Sequence, residues 1–411
     1  MLMEEFLQLL ENQQMKINIQ TMKIFKTVYC LLMAVLFTAC SSSKQYKTIV
    51  VKNTLNHERS NEVVELDNSS LGLKKIDASV GVKNVATNEF MLTQLVDQDG
   101  DGTMDQLLFQ PKIGANSEVE FQVVKISSSE KLKAEDLCFS RFVPERTDDY
   151  TWENDKVAFR VYGPKAQMLK ETGQKGGTLS SGVDAWLKRV EYPIINKWYK
   201  ETLIDKTGSY HKDTGEGLDN FHVGVSRGAG GIAVKDKSSL YYSKNYVKWR
   251  TITTGPLRTS FYLEYENWTS GSKSISESKI ITLDLGNNLS KFETNMSGTE
   301  EIYAGLTLHE KDGVVSSGNG WVTYWQPHAD SELGTAIVAD SKTFVGSEKH
   351  DVEEKDLSNA YAELKVSNNQ VTYYAGFAWK KSKQYPTKES WTAYLDRFSK
   401  EINTPLLVSL K

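Results

Sequence analysis

The residues of this sequence best suited to acid–base chemistry lie between Ser209 and Gly228, in SYHKDTGEGLDNFHVGVSRG. Two of the six histidines of the chain, His211 and His222, occur here. The segment also contains three carboxyl side chains and one guanidinium: Asp213, Glu216, Asp219 and Arg227. Histidine titrates near neutral pH and can accept or donate a proton during catalysis. We interpret the segment as a candidate catalytic site; the alternative is a solvated loop with incidental histidines.

Four glycines interrupt this segment, and no apolar residues recur in it at helical spacing. The pattern predicts a loop that passes into a short strand, and loops held on a rigid scaffold commonly carry catalytic groups. A metal ion bound by His211, Asp213 and Glu216 is a rival hypothesis, although their spacing matches no firm ligand pattern.

The elements that must position this loop are predicted to be strands, because apolar residues recur with a period of two. The clearest run places five side chains on one face: Val371, Tyr373, Ala375, Phe377 and Trp379. Similar runs occur around Phe121, Leu263 and Leu283. Many such runs separated by glycine, asparagine and aspartate predict a mainly β protein, a large antiparallel β-sandwich of the supersandwich, mutarotase-like kind with few helices.

Two segments have a helical pattern. Near the end of the chain, Thr387 could cap a helix with Trp391 and Leu395 on its buried face. In the other segment, apolar residues recur at helical spacing from Val183 to Val190. No low-complexity linker divides residues 47–411, which we predict to form one β-rich catalytic unit with an N-terminal sheet portion over residues 47–140.

The N-terminal region has the pattern of a targeting segment. Lys23 and Lys26 precede an uncharged, mostly apolar run that is too short to span a bilayer and ends at Cys40. We predict a signal segment over residues 1–39, with Met22 as the true start because acidic residues precede it. The alternative is a buried hydrophobic helix.

The five residues that end at Cys40, LFTAC, resemble a bacterial lipobox, with Phe37 as a departure from the usual leucine. The resemblance implies that Cys40 is lipidated and that residues 40–46 form a tether. We therefore expect a cell-envelope protein held to the membrane by a lipid anchor. It would be an outer-membrane lipoprotein that faces the periplasm, since the tether lacks an acidic run.

Composition excludes some classes of function. The net charge of −4 shows no basic excess of the kind that binds nucleic acid, so no nucleic-acid partner is expected. Without Cys30 and Cys40, only Cys138 remains in the folded part, which rules out an intramolecular disulfide and a cysteine-based zinc site.

An acidic stretch, DQDGDGTMD, could bind a structural calcium ion. Its aspartates fit the first, third, fifth and ninth positions of a calcium loop: Asp97, Asp99, Asp101 and Asp105. The twelfth position is Leu108, where an EF-hand needs a bidentate glutamate. The favoured alternative is a tight hairpin turn stabilised by aspartate side chains that bind backbone amides. No other cofactor is expected.

Several arginines and tryptophans, one of them within the histidine-containing segment, suit an anionic sugar, since rings stack on sugars and guanidinium groups pair with carboxylate or sulfate. The candidate substrate contacts are Arg146, Trp152, Arg227, Trp249 and Arg250. Each could instead serve an ion pair or the core.

Four stretches are long enough to identify a family: DDYTWENDKVAFRVYGP, SGVDAWLKRVEYP, SYHKDTGEGLDNFHVGVSRGAGG and GPLRTSFYLEY. They resemble a family of lipoproteins from polysaccharide-utilisation gene clusters, long catalogued as a domain of unknown function, that includes an ulvan oligosaccharide dehydratase. The resemblance implies a lyase that removes water across C4–C5 of a glucuronic or iduronic acid linked to sulfated rhamnose. The product would be a 4,5-unsaturated uronic acid, the substrate of unsaturated glucuronyl hydrolases.

Such an elimination needs a base for the C5 proton, an acid for the departing 4-hydroxyl and a cation near the carboxylate. We expect His211 and His222 to be the acid–base pair, with Tyr210 as a reserve proton donor. Arg227 or Arg250 would bind the carboxylate. His309 and His328 are the next histidine candidates. The alternatives are a non-catalytic glycan-binding lipoprotein and a uronate lyase that cleaves the chain.

Overall fold

The computed structural model describes residues 45–354 and 356–411, together with residues 3, 8 and 13–15, which are helical. Gln45–Lys411 form one compact unit and Met1–Lys44 another. Cys40 and most of the predicted signal segment lie outside the described residues. Among the described helices, none is long and apolar enough to cross a membrane.

Strands make up most of the larger unit. The strands of its first half are β1 (Gln45–Lys52), β2 (Val64–Asp67), β3 (Val80–Asn84), β4 (Thr93–Val96), β5 (Gln106–Phe109), β6 (Glu118–Lys125), β7 (Phe139–Val143), β8 (Asp149–Glu153), β9 (Ala158–Val161), β10 (Asp184–Lys188), β11 (Gly217–Leu218), β12 (Ala229–Asp236) and β13 (Ser239–Tyr241). Those of its second half are β14 (Tyr246–Thr253), β15 (Arg258–Tyr265), β16 (Trp268–Ser270), β17 (Lys273–Asp284), β18 (Leu289–Ser297), β19 (Glu301–Thr307), β20 (Val314–Gly318), β21 (Trp321–His328), β22 (Ser331–Val338), β23 (Phe344–His350), β24 (Asn359–Lys365), β25 (Gln370–Trp379) and β26 (Leu407–Leu410).

Helices are few and short in this unit. They are α1 (Asn68–Leu71), α2 (Pro164–Glu171), α3 (Ile195–Tyr199), which continues as a π turn over Lys200–Ile204, and α4 (Lys388–Asn403), with 3-10 turns at Pro144–Arg146 and Lys380–Ser382. The prediction of a mainly β protein with few helices is confirmed.

The core lies on one face of a nine-stranded main sheet, ordered β14-β15-β17-β18-β25-β22-β21-β20 with β16 beside β17. Against it pack a second sheet, β13-β12-β19-β24-β23, and a site sheet, β11-β10-β9-β8-β7. Tyr373 of the main sheet donates a hydrogen bond to the Gly230 carbonyl of the second sheet at 2.8 Å. Phe377 packs edge-on against Phe159 of the site sheet at 5.2 Å. The alternating residues of β25 thus face the core, and the layers form the antiparallel sandwich that the period of two predicts.

The first part of the unit has a core of its own. A four-stranded sheet, β26-β1-β6-β3, and a three-stranded sheet, β2-β5-β4, enclose a separate apolar cluster that includes Ile49, Phe109 and Phe121. Because β26 comes from the end of the chain and pairs with β1, the last residues complete this sheet.

One of the two predicted helices is confirmed. Helix α4 begins at the predicted cap, where Thr387 accepts a hydrogen bond from the Ser390 amide, and it buries Trp391 and Leu395 against the outer face of the main sheet. The other prediction is wrong, because Asp184–Lys188 form strand β10. All five residues of β10 are buried, and a strand covered on both faces shows no alternation that would separate it from a helix.

Candidate active site

The histidine-containing segment is closed against β10 of the site sheet. Within it, β11 pairs with β10, and Gly228 bridges to Val183. A Cβ atom at Gly217 would lie 1.9 Å from the Leu187 carbonyl oxygen, and one at Gly228 would lie 2.0 Å from that of Val183. The φ angles of these glycines are 117° and 60°. Glycine is therefore required at both points for the segment to reach the strand.

An open cleft of about 550 Å³ lies beside this segment. It is bounded by β9, α2, the segment itself and the loop before β24. Its polar and charged lining residues are Arg160, Tyr162, Lys170, Thr178, His211, Asp219, Asn220, His222 and Asp356. The two histidines expected to act as acid and base therefore line one cleft.

His211 is held so that one ring nitrogen is free. Its Nδ1 atom lies 2.6 Å from the Asp219 carbonyl oxygen, which can only accept a hydrogen bond. Nδ1 therefore carries the hydrogen, and Nε2 of the neutral ring has an unshared pair. The Tyr210 ring packs edge-on against the His211 ring, with the ring centroids 4.6 Å apart. The His211 side chain remains 62% exposed. His211 thus has the proton arrangement of a general base.

His222 contacts the protein through its other ring nitrogen. Its Nε2 atom lies 2.9 Å from Oδ2 of Asp356, and since a carboxylate accepts, this nitrogen carries a hydrogen. The carboxylate orients the ring and compensates its charge when Nδ1 is also protonated. From behind, Nε2 of His309 donates to the His222 carbonyl oxygen at 2.7 Å, which fixes the backbone. His222 is therefore suited to the role of general acid.

Arg160 lines the cleft and is surrounded by three carboxyl groups, which we call the buried acidic cluster: Asp149, Asp184 and Asp219. Its Nε and Nη2 atoms lie 2.9 and 2.5 Å from Oδ2 of Asp184. Nη2 also lies 2.9 Å from Oδ2 of Asp219, and Nη1 lies 3.6 Å from Oδ2 of Asp149. Tyr162 donates its hydroxyl to Asp184 at 2.9 Å. The guanidinium is thus already compensated by protein carboxylates.

Burial alters the ionisation of this cluster. Desolvation raises the pKa of Asp184 to about 7, although Arg160 beside it opposes the shift. Desolvation also raises the pKa of Asp149 to about 6, against the same guanidinium. The Oδ1 atoms of both residues are buried and have no hydrogen-bond partner among the described residues. The cluster can therefore hold a proton near neutral pH.

Two predicted substrate contacts are corrected by their burial. Trp152 is completely buried, and its indole nitrogen donates to Ser290 at 2.9 Å, so the ring serves the core. Arg227 is 2% exposed, donates to Ser181 at 2.9 Å and packs over the Tyr242 ring at 4.1 Å. Neither side chain lines the cleft, so neither can contact a sugar bound there.

Trp249 and Arg250 lie on β14, at the edge of the main sheet, and do not line the cleft. Trp249 stacks on Phe142 with the ring centroids 4.9 Å apart, and 42% of it is exposed. Arg250 donates to the Gln98 carbonyl oxygen at 3.0 Å, beside the acidic loop. A shared role in substrate binding with His211 is not supported for this pair.

Arg146 and Tyr210 lie behind the cleft rather than in its lining. Arg146 is near Asp149 and the Tyr210 hydroxyl, and these interactions raise its pKa against the opposing effect of burial. Tyr210 is buried and packs on Trp186 at 5.2 Å. Tyr210 therefore supports the His211 ring instead of reaching the substrate as a reserve donor.

Five polar or charged lining residues lie outside the segment and were not predicted as site residues: Arg160, Tyr162, Lys170, Thr178 and Asp356. The apolar run KVAFRVYGP carries a signal for the first, because an arginine within a buried strand needs compensating partners. For Asp356 no local signal exists, since it lies 134 residues after His222 in the chain.

His309 and His328 lie behind the cleft-lining segment. Phe221 packs edge-on against His309 at 4.7 Å, and Nε2 of His328 lies 3.0 Å from the Asn220 side-chain oxygen. Burial lowers the pKa of His309 and lowers that of His328 to about 4. Both rings are therefore neutral supports of the segment at neutral pH.

The acidic loop forms the hairpin that the favoured interpretation predicts. Asp97 accepts hydrogen bonds from the amides of Gly100 and Gly102 at 2.7 and 2.8 Å, and Asp105 accepts one from Gln98 at 2.7 Å. Carboxylate oxygens of three of the four predicted aspartates also lie within 4.8 Å of one another and could hold an ion: Asp97, Asp99 and Asp105. Asp101 is not part of that group.

The rival metal site in the histidine segment is not formed. Asp213 accepts hydrogen bonds from Arg189 and from loop amides, and Glu216 accepts from Tyr192, Lys197 and Trp198. Within the described part of the chain, these two carboxylates and His211 do not form a group that could hold a metal.

Comparison with other proteins shows one curated relative at high similarity. It is the uncharacterized protein P7 of Formosa agariphila, which is 51% identical over 396 residues, 95% of this chain and all of the relative.

Solved structures resemble the chain more distantly. A protein of glycosyl hydrolase family 38 from Enterococcus faecalis has a TM-score of 0.46 at 10% identity, over 89% of this chain and 47% of the other. An alpha-mannosidase from Enterococcus faecalis V583 has a TM-score of 0.42 at 9% identity, over 89% and 46%. The chain thus spans about half the length of these structures.

A family model matches residues 51–408, and the chain therefore belongs to the family described as the domain of unknown function DUF4861.

Proposed function

We propose that this protein is a hydro-lyase that removes water across C4–C5 of a uronic acid at the non-reducing end of an ulvan-type oligosaccharide. The observation that carries the proposal is the pair of histidines in one cleft. His211 presents an unprotonated Nε2 atom, and His222 is paired through Nε2 with Asp356, which compensates the charge of the ring when Nδ1 is also protonated. The substrate class comes from the four stretches of sequence that resemble the dehydratase-containing family.

In the proposed reaction, Nε2 of His211 accepts the C5 proton and the electron pair of that C–H bond forms the C4–C5 double bond. The C4–O bond breaks, and Nδ1 of doubly protonated His222 gives its proton to the departing hydroxyl, which leaves as water. His211 then releases a proton to solvent and His222 takes one up. The scheme requires no cofactor.

Negative charge develops beside the substrate carboxylate as the C5 proton leaves, so a cation nearby would lower the barrier. Arg160 is compensated by the buried acidic cluster and is poorly suited to this role. Lys170 lines the cleft, is exposed, and has no ion-pair partner among the described residues. We therefore assign the carboxylate or sulfate contact to Lys170 in place of Arg227 and Arg250.

The two alternatives predict different products. A glycan-binding lipoprotein would leave the oligosaccharide unchanged, and it has no use for an acid–base pair of histidines. A chain-cleaving lyase would also form an unsaturated uronate but would shorten the chain.

Mass spectrometry of an ulvan oligosaccharide incubated with the protein separates all three, with ultraviolet absorbance as a second readout of the double bond. We expect the loss of one water at constant chain length. Two shorter fragments would support a lyase, and an unchanged mass would support a binding protein.

We further propose that Cys40 is lipidated and anchors the protein to the periplasmic side of the outer membrane, because LFTAC resembles a lipobox. Expression of the full chain with Cys40→Ser should move the protein from the membrane to the soluble fraction. Ser41→Ala is the matched control and should remain in the membrane. Membrane retention of Cys40→Ser would contradict the anchor.

A further inference from the structure

The buried acidic cluster has more negative than positive charge when every group in it is ionised. Its three carboxylates, Asp149, Asp184 and Asp219, surround Arg160. The other groups that face the cluster are Asp148 beside Asp149, Tyr162 on β9, Tyr199 on α3, Arg146 in the 3-10 turn, and His211, whose Nδ1 atom lies 3.7 Å from Oδ2 of Asp219. With neutral tyrosines and histidine, four carboxylates and two guanidiniums leave the negative charge in excess.

This charge lies under the cleft in which an anionic sugar is proposed to bind. Arg160 and Asp219 line the cleft directly, and Asp184 is completely buried beneath them. Two like charges repel strongly where protein excludes water, so an incoming carboxylate destabilises the ionised cluster. A proton added to the cluster would remove this repulsion.

The cluster offers a place for that proton. Asp184 uses Oδ2 for its hydrogen bonds with Arg160 and Tyr162. Its Oδ1 atom is buried and without a hydrogen-bond partner among the described residues. Asp149 is similar, with Oδ2 bonded to Tyr199 and Oδ1 unpaired. A protonated Oδ1 would therefore break none of the existing contacts.

We propose that the buried acidic cluster takes up one proton, on Oδ1 of Asp184, when a carboxylate-bearing sugar enters the cleft. The proton comes from solvent, and no bond of the sugar is made or broken. The inference deepens the proposed function and depends on it only for the choice of a uronate as ligand. Burial already raises the pKa of Asp184 to about 7, so one additional nearby negative charge is enough to favour its protonated form.

Two consequences distinguish this coupling of sugar binding to proton uptake from an attraction between the sugar carboxylate and a cation of the cleft. The affinity for a uronate should fall as the pH rises above neutral, by up to about tenfold per pH unit when one proton is bound. The affinity for the matching neutral sugar should be nearly independent of pH over the same range, because it adds no charge to the cleft.

The test is calorimetric titration slightly above neutral pH in phosphate and in Tris buffer, whose ionisation enthalpies differ. The probe is a 4-deoxy-glucuronyl-rhamnose disaccharide, which lacks the hydroxyl that leaves and cannot react. The neutral control is the 4-deoxy-glucosyl analogue. We expect the binding enthalpy of the acid to depend on the buffer by the amount that uptake of a substantial fraction of one proton requires. The neutral analogue should show no such dependence.

Asp184→Asn should abolish the buffer dependence and flatten the pH profile of affinity. Asp330→Asn removes an exposed carboxylate that pairs with Lys381 outside the cleft and should keep proton uptake. If Asp184→Asn fails to fold, the pH profile of the unmodified protein still decides the matter. Buffer-independent binding of the acid, or equal uptake with the neutral sugar, would overturn the inference. So would undiminished uptake in folded Asp184→Asn.

Proton uptake on binding and the proposed dehydration can fail independently of each other. Dehydration of an ulvan oligosaccharide without proton-linked binding would overturn the coupling alone. Proton-linked binding of the 4-deoxy probe without dehydration of the natural substrate would overturn the reaction alone. If the acid does not bind at all, the coupling is wrong.

Discussion

At the scale of single residues, the roles proposed for the two histidines follow from what each ring nitrogen contacts. A backbone carbonyl can only accept, so it fixes the hydrogen of His211 on Nδ1, whereas Asp356 fixes that of His222 on Nε2. The contacts of the buried arginines distinguish their roles in the same way. Arg160 and Arg227 are both buried, but carboxylates surround the first, and neutral hydrogen-bond acceptors and an aromatic ring surround the second.

Arg227→Ala should lower stability rather than act through substrate binding. The change leaves the Ser181 hydroxyl and the carbonyls of Val225 and Ile232 without their donor and opens a cavity. We expect a loss of about 2–4 kcal/mol in the free energy of unfolding. Chemical denaturation measures this loss. Arg250→Ala is the control variant, and its free energy of unfolding should change by no more than about 0.5 kcal/mol because the Arg250 side chain is exposed. Equal stability of the two variants would contradict this account of Arg227.

At the scale of elements, the site depends on a segment packed between a strand and a distant loop. Gly217 and Gly228 bring it against β10, and Asp356 reaches it from the loop before β24. The glycines, the histidines and the loop character of this segment could be predicted from the sequence, because they are local. The partner of His222 could not, because only the fold brings that loop to the cleft.

Gly224→Ala should disturb the contact between His222 and Asp356. A Cβ atom there would lie 2.1 Å from Oδ2 of Asp356 and 2.9 Å from Nε2 of His222. We expect turnover to fall by at least about tenfold, since the acid loses its orienting partner. Gly173→Ala is a matched control: its φ of 69° is also positive, but nothing lies within 4 Å of the new atom. Comparable turnover in both variants would show that the contact is unimportant.

At the scale of the whole molecule, the fold was predictable because most strands face the core with one side only. The period of two in β25 and β15 identifies such strands directly. Strand β10 is buried on both sides, so its residues show no alternation that would predict a strand or place Asp184 beneath the cleft. Burial of charged groups such as Asp184 and of Trp152 depends on how the sheets stack, which no local pattern specifies.

The partly buried histidines behind the cleft make the stability of the fold depend on pH. Burial lowers the pKa of His328 from 6.5 to about 4, so the folded protein binds fewer protons than the unfolded chain between these values. Its contribution is fully present above pH 6.5 and is lost as the pH falls towards 4. Asp149 and Asp184, whose pKa values are raised, contribute with the opposite sign.

A comparison with His328→Gln isolates the contribution of this histidine. The stability advantage of the unmodified protein over the variant should shrink by about 2 kcal/mol on acidification from neutral pH to about pH 5. Urea denaturation at both pH values measures it. An advantage that stays constant or grows on acidification would show that His328 is not held neutral by burial.

The most direct test of the central claim is the rate at which His211→Ala removes water from an ulvan oligosaccharide, measured by the absorbance of the unsaturated product. His211 is largely exposed, so the variant should keep its melting temperature and its binding of the oligosaccharide. We predict a fall in turnover of about 10²–10⁴-fold, the usual effect of removing a positioned base. A folded variant that retains turnover to within about tenfold would contradict the assignment of His211 as the base and place the chemistry elsewhere.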